Sequence, residues 1–153
     1  MKSNHQTRVE AFLHGIGRTV PNTPQVADRE VLGTWGRLLL EEVFEWLRAA
    51  GLTVQLEDAL DDDPPLEFAE LKVCVDNTVI PDLVGMADAS ADISVVNTGA
   101  MSLNGIHDIN ILEEVDANNM LKIERGHRDP VTGKFIKPVG HPKPDFNRCL
   151  RTQ

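Results

Sequence analysis

Between Val73 and Leu121 this chain of 153 residues has no lysine and no arginine, although Asp76, Asp82, Asp88, Asp92, Asp108, Glu113, Glu114 and Asp116 all fall there. Compensation for those acids has to come from elsewhere. Cysteine is scarce too. Cys74 and Cys149 stand far apart, which excludes a disulfide framework and a paired-thiol metal site and points to a reducing cytoplasm. No stretch approaches the roughly 18 apolar residues of a membrane span. Lys2, His5, Arg8, Glu10 and His14 leave no apolar signal core in the first twenty residues. A soluble, intracellular protein with no membrane partner is expected.

Several kinds of chemistry lack their motif. There is no Walker-type glycine loop, which excludes a P-loop nucleotide site. Ser90, Ser94 and Ser102 sit in no nucleophile elbow. His5, His14, His107, His127 and His141 have no ligand-like spacing, so zinc catalysis is unsupported as well.

What is present is acid. The net charge is −9, from 24 acidic and 15 basic residues, which argues against nucleic acid as the main partner. From Lys122 to Arg148, however, seven residues are basic and three acidic, leaving eight basic and 21 acidic residues for the rest. An acidic body with a basic tail suits a ligand that carries both metal and phosphate; otherwise such a tail is simply solvated. The length fits one domain, residues 1–153, with a core over about 8–123 and a basic strap over 124–153.

The pattern of the core is helical. Arg8 to Ile16 reads as a short helix closed by Gly15 and Gly17, followed by a loop with Pro21 and Pro24. Asp28 caps a long amphipathic helix that runs to about Ala50 and stops at Gly51, with Leu32, Trp35, Leu39, Val43, Trp46 and Leu47 as its apolar stripe. Thr53–Leu56 and Leu71–Val75 alternate like the strands of a small hairpin, separated by an Asp61-Asp62-Asp63-Pro64-Pro65 loop that lacks the glycine and downstream glutamate of a calcium site. Pro81 opens a third helix to about Leu103, closed by Gly105 and rich in Gly, Ala and Ser, so neighbours can come close. A fourth runs from Asp108 to about Ile123. Beyond it, glycine and proline recur up to Pro144 and exclude regular helix, predicting a turn-rich strap across the body. Cys74 is expected in the core.

Two acidic clusters carry the chemistry. Glu41, Glu42 and Glu45 fall at three- and four-residue spacings in one helical pattern, and Asp88 and Asp92 at a spacing of four in another. The bland account of the first is a solvated face in which Arg37, Glu41, Glu45 and Arg48 form surface pairs worth about 0.3–0.5 kcal/mol each. Asp88 and Asp92, among Ala, Gly, Ser, Val and Met, are expected to be partly buried like charges that need neutralising. Several oxygen ligands together are what Mg²⁺ or Mn²⁺ prefers.

Leu-Leu-Leu-Glu-Glu-Val-Phe-Glu (38–45), Met-Ala-Asp-Ala-Ser-Ala-Asp-Ile-Ser-Val-Val-Asn-Thr-Gly (86–99), Asn-Gly-Ile (104–106) and Glu-Val-Asp-Ala-Asn-Asn-Met-Leu-Lys (114–122) together resemble the MazG-like all-α nucleoside triphosphate pyrophosphohydrolases. Thr-Gly-Lys-Phe-Ile-Lys-Pro (132–138) with Pro144-Asp145 is similar to the tail of the branch related to phosphoribosyl-ATP pyrophosphohydrolase. The resemblance covers about residues 8–146. It implies an all-α bundle of four to five helices, assembled as a homodimer or homotetramer. It also implies Mg²⁺- or Mn²⁺-dependent hydrolysis of a nucleoside triphosphate to monophosphate and pyrophosphate, in the manner of enzymes that clear non-canonical nucleotides. Glu42 and Glu45 match the family's first Glu-x-x-Glu pair, with Glu41 adjacent, as metal ligands and catalytic acids. The family's second pair is Glu-x-x-Asp; here Gly85 and Ala89 precede Asp88 and Asp92 by three, so Asp88 and Asp92 themselves must serve as ligands. Asn119 and Lys122 match the Asn-Met-x-Lys stretch that holds phosphate, and Lys134 and Lys137 match the tail. The alternative is a non-catalytic helical module that binds nucleotide or protein, with a degenerate metal site.

Overall fold

The computed structural model describes residues 1–56, 71–131 and 133–153. They form a mostly helical chain with two small two-stranded sheets, and among them no helix is long and apolar enough to cross a membrane. The chain divides into two compact units, one made of residues 1–27 and 98–153 and the other of 28–97. The basic strap is thus not a separate layer; it belongs with the first helix and the fourth.

In the discontinuous unit, helix α1 (Asn4–Gly15) begins earlier than its apolar pattern predicts. Ser3 is the reason: its side chain accepts from the Gln6 N–H at 3.0 Å and caps the helix. Gln6 is fully buried, and its amide donates to Ser102 Oγ (3.0 Å) and the Ile106 carbonyl (2.7 Å) while accepting from the Asp108 N–H (2.9 Å). A buried amide with all these partners locates α1 as firmly as an apolar contact does. The Asp108 carboxylate in turn accepts from Ser3, so two helix starts are tied together. Val9, Leu13, Leu103 and Cys149 supply buried apolar surface in this unit.

Helix α4 (Asp108–Arg125) carries the strap. Strands β3 (His127–Arg128) and β4 (Phe135–Ile136) pair antiparallel just after it. Farther on, His141 and Pro142 both bond Asn118 of α4. Once past Pro144 the chain winds into α5 (Phe146–Arg151), capped by Asp145, which accepts from the Arg148 N–H at 3.0 Å. This helix was not expected from the glycine- and proline-rich tail, but all those residues lie before it. Glu114 holds it down, accepting from the Asp145 N–H at 2.8 Å and pairing with Arg148.

The continuous unit starts with α2 (Arg29–Ala49), and Gly51 at φ +70° ends it, a conformation that favours glycine. Its N-cap Asp28 makes no side-chain cap bond. Strands β1 (Leu52–Leu56) and β2 (Leu71–Val75) form the expected hairpin, in register from Leu52↔Val75 to Leu56↔Leu71. The Asp61-Asp62-Asp63 run lies outside the described residues. Cross-strand partners share a face, so Leu52, Val54, Val73 and Val75 lie on one side and Thr53, Gln55, Lys72 and Cys74 on the other. Cys74 is therefore only half-buried on the polar face, and is not the core residue expected. Helix α3 (Leu83–Leu103) follows; Asp82 caps it by accepting from the Val84 N–H at 3.0 Å, and Gly105 at φ +66° turns the chain after it.

Candidate metal and phosphate site

Ala49 and Gly85 fix how the two acid-bearing helices meet. The Asp82 N–H donates to the Ala49 carbonyl at 2.8 Å, and a Cβ added to Gly85 would stand 3.2 Å from the Cβ of Ala49. Two turns back along α2 from that contact stands Glu42, and two turns forward along α3 stands Asp92. The charges agree with this antiparallel register. The Glu42 carboxyl is held above the usual glutamate range, first by partial desolvation and then by the negative charges of Glu45, Asp92, Glu41 and Asp88, in that order. Asp92 acts on Glu42 more strongly than Asp88 does, as the register requires. All five sequence-derived carboxylates thus belong to one electrostatic neighbourhood within the continuous unit.

They are not drawn into a closed shell. Among the described residues no three His, Cys, Asp or Glu side chains are grouped to hold a metal ion together. Asp88 and Asp92 are exposed, contrary to the burial expected of them. Residues of α3 are apolar around most of its circumference, and Ala89, between the two aspartates, takes the buried position. Half-buried Glu42 is the residue that bears the like-charge problem. Glu41 accepts from Arg37 at 2.6 Å, the exposed i,i+4 pair that the solvated-face account describes. Gly85, three residues before Asp88, packs against Ala49, and a Cβ there would also lie 2.9 Å from Asp82 Oδ2.

The phosphate candidates sit in the other unit. Asn119 and Lys122 share one face of α4, where Lys122 Nζ donates to Asn119 Oδ1. Lys134 and Lys137 flank β4 and are exposed. No known family model matches this chain, and no curated protein does either.

Sequence reasoning passed over Asn118, which stands beside Asn119 and does the opposite. It is buried, donates to the Pro142 carbonyl at 2.8 Å, and its oxygen lies 3.1 Å from His141 Nε2. Adjacent residues of a helix point about 100° apart, so one asparagine of the pair fastens the strap while the other faces solvent. Two identical residues in a row carry no sequence signal of which does which.

Proposed function

We propose that this chain is a divalent-metal-dependent nucleoside triphosphate pyrophosphohydrolase of the MazG-like kind, which releases a nucleoside monophosphate and pyrophosphate. The observation that carries the reading is the convergence of charge on Glu42 from Glu41, Glu45, Asp88 and Asp92 on two helices. An all-oxygen, all-anionic donor set fits a hard cation such as Mg²⁺ or Mn²⁺ and no thiophilic one. Glu42, Glu45, Asp88 and Asp92 would hold it, with Glu41 joining once it leaves Arg37. When bound, such an ion neutralises charge on the attacked phosphate and acidifies a water molecule. One of the glutamates would take the proton from the attacking water. Asn119 and Lys122 bind the departing phosphates by amide and charge-assisted hydrogen bonds, and Lys134 and Lys137 add charge from the strap. The assembly is a homodimer or homotetramer in the cytoplasm.

A specific observation supports a second reading, a binding module without turnover: neither Gly85 nor Ala89, the residues three before Asp88 and Asp92, carries the glutamate of the resembling family's second pair, and a Cβ at Gly85 would press on Ala49.

The deciding experiment supplies ordinary and damaged nucleoside triphosphates with millimolar Mg²⁺ or Mn²⁺ and identifies the products by phosphorus NMR. Monophosphate with pyrophosphate is the expected pair. Orthophosphate with nucleoside diphosphate would overturn the proposal, and nucleotide binding with no product would favour the second reading.

A further inference from the structure

One end of the continuous unit keeps a cluster of aliphatic side chains in water. Val75 pairs with Leu52, Val79 lies beside Gly51, and the Asp82 N–H bonds the Ala49 carbonyl, so the turn after β2 and the start of α3 gather around Ala49–Leu52. Val73, Val75, Val79, Ile80, Leu83 and Val84 are all exposed there, from 42% at Val79 to 90% at Ile80. At about 100 Å² of apolar side chain per fully exposed aliphatic residue, they present roughly 400 Å². A monomer's largest apolar patch is of that order and is often functional. One side of a standard interface buries about 800 Å², somewhat over half of it apolar, so this cluster amounts to the apolar share of one such side.

The rim of the cluster selects the occupant. Asp76 and Asp82 lie within this stretch of chain and Asp88 four residues after Val84, and from Val73 onward no basic residue accompanies them until Lys122. Two such ends meeting face to face would bring aspartate against aspartate, which is costly. The tail has the opposite character. Val131 and Val139 are almost wholly exposed, Phe135 and Ile136 partly so, and Arg128, Lys134, Lys137 and Lys143 flank them in the chain.

We infer that the acid-rimmed apolar end of the continuous unit docks the basic, apolar tail around Phe135, Ile136 and Val139 of a second copy of this chain. Apolar surface meets apolar surface, and each rim meets its opposite charge. The contact shares Asp88, Lys134 and Lys137 with the proposed site, but its test reads association and not turnover.

Val84→Lys and Val139→Asp test it, since both side chains are exposed and neither belongs to the candidate site. Sedimentation velocity over a range of concentrations reads association of the full-length chain, with circular dichroism to establish that each variant is folded. Wild type is expected to self-associate, and each variant alone to dissociate at least tenfold more readily. An equimolar mixture of the two is expected to regain association, because the lysine brought in by one meets the aspartate brought in by the other. If either variant loses the wild-type spectrum, Leu83→Lys or Val131→Asp takes its place. A wild type that stays monomeric, variants that associate as wild type does, or a mixture no more associated than its components would each overturn the inference; the first would point to a foreign partner or the chain's own tail.

Discussion

Gly85 faces Ala49 closely: a Cβ on the glycine would sit 3.2 Å from that of the alanine, so the start of α3 or the end of α2 would have to give by a few tenths of an ångström to admit a side chain. Gly85→Glu, which puts a glutamate three residues before Asp88, is therefore expected to cost about 1–3 kcal/mol by overpacking. Urea unfolding measures it. A double-mutant cycle with Ala49→Gly should recover part of the loss, whereas strict additivity would mean that the two positions do not press on each other.

Glu42 makes stability depend on pH with an unusual sign for a carboxylate. Its folded pKa is raised, so the folded protein binds its proton more tightly than the unfolded chain does. The contribution is fully present below the ordinary glutamate pKa and is lost as pH rises through the raised value. Metal-free Glu42→Gln is accordingly expected to melt higher than wild type at neutral pH, and the difference should vanish on acidification. Adding Mg²⁺ should narrow or reverse the gap, because a cation stabilises the protein that keeps the full set of carboxylates more than the one that lacks Glu42. Thermal melts at several pH values, with and without Mg²⁺, read all three effects.

Asp92→Asn and Glu45→Gln keep shape and remove charge. At saturating Mg²⁺ each is expected to lower kcat for pyrophosphate release at least about a hundredfold, on the scale of losing one transition-state electrostatic contact. Glu41→Gln should cost less, since Glu41 is already engaged by Arg37. Full activity in Asp92→Asn would return that residue to a solvated face.

Asn118→Ala removes the donor to the Pro142 carbonyl and the partner of His141. Leaving a part-buried carbonyl unsatisfied costs about 1–3 kcal/mol. The strap should also become cleavable by protease at lower enzyme concentration. A digestion pattern identical to wild type would show that Glu114 and Arg148 suffice to hold the tail.

How much of this was legible in the sequence follows the range of the interactions involved. Gly51 and Gly105 mark the ends of α2 and α3 because a left-handed turn is a local demand that glycine meets. The apolar period starts α1 too late because Gln6 is buried by partners about a hundred residues away and adds nothing to that period. Short α5 is held by Glu114, again from a distance. At the site, the spacing within each helix showed which acids share a face. It could not show that α2 and α3 meet at Ala49 and Gly85, which sets Glu42 opposite Asp92, nor that Asp88 and Asp92 would face water. The MazG-like resemblance and its chemistry are tested by the product analysis, not by these contacts.

The division into units also sets an order of assembly. Residues 28–97 are a single uninterrupted stretch, whereas the other unit needs α1 from before it and α4 with the strap from after it. As the chain is synthesised, α2, the hairpin and most of α3 are complete while Gln6 still lacks Ile106 and Asp108. Until then the Gln6 amide is met by water, and the last segments to emerge are the ones that bury and bond it.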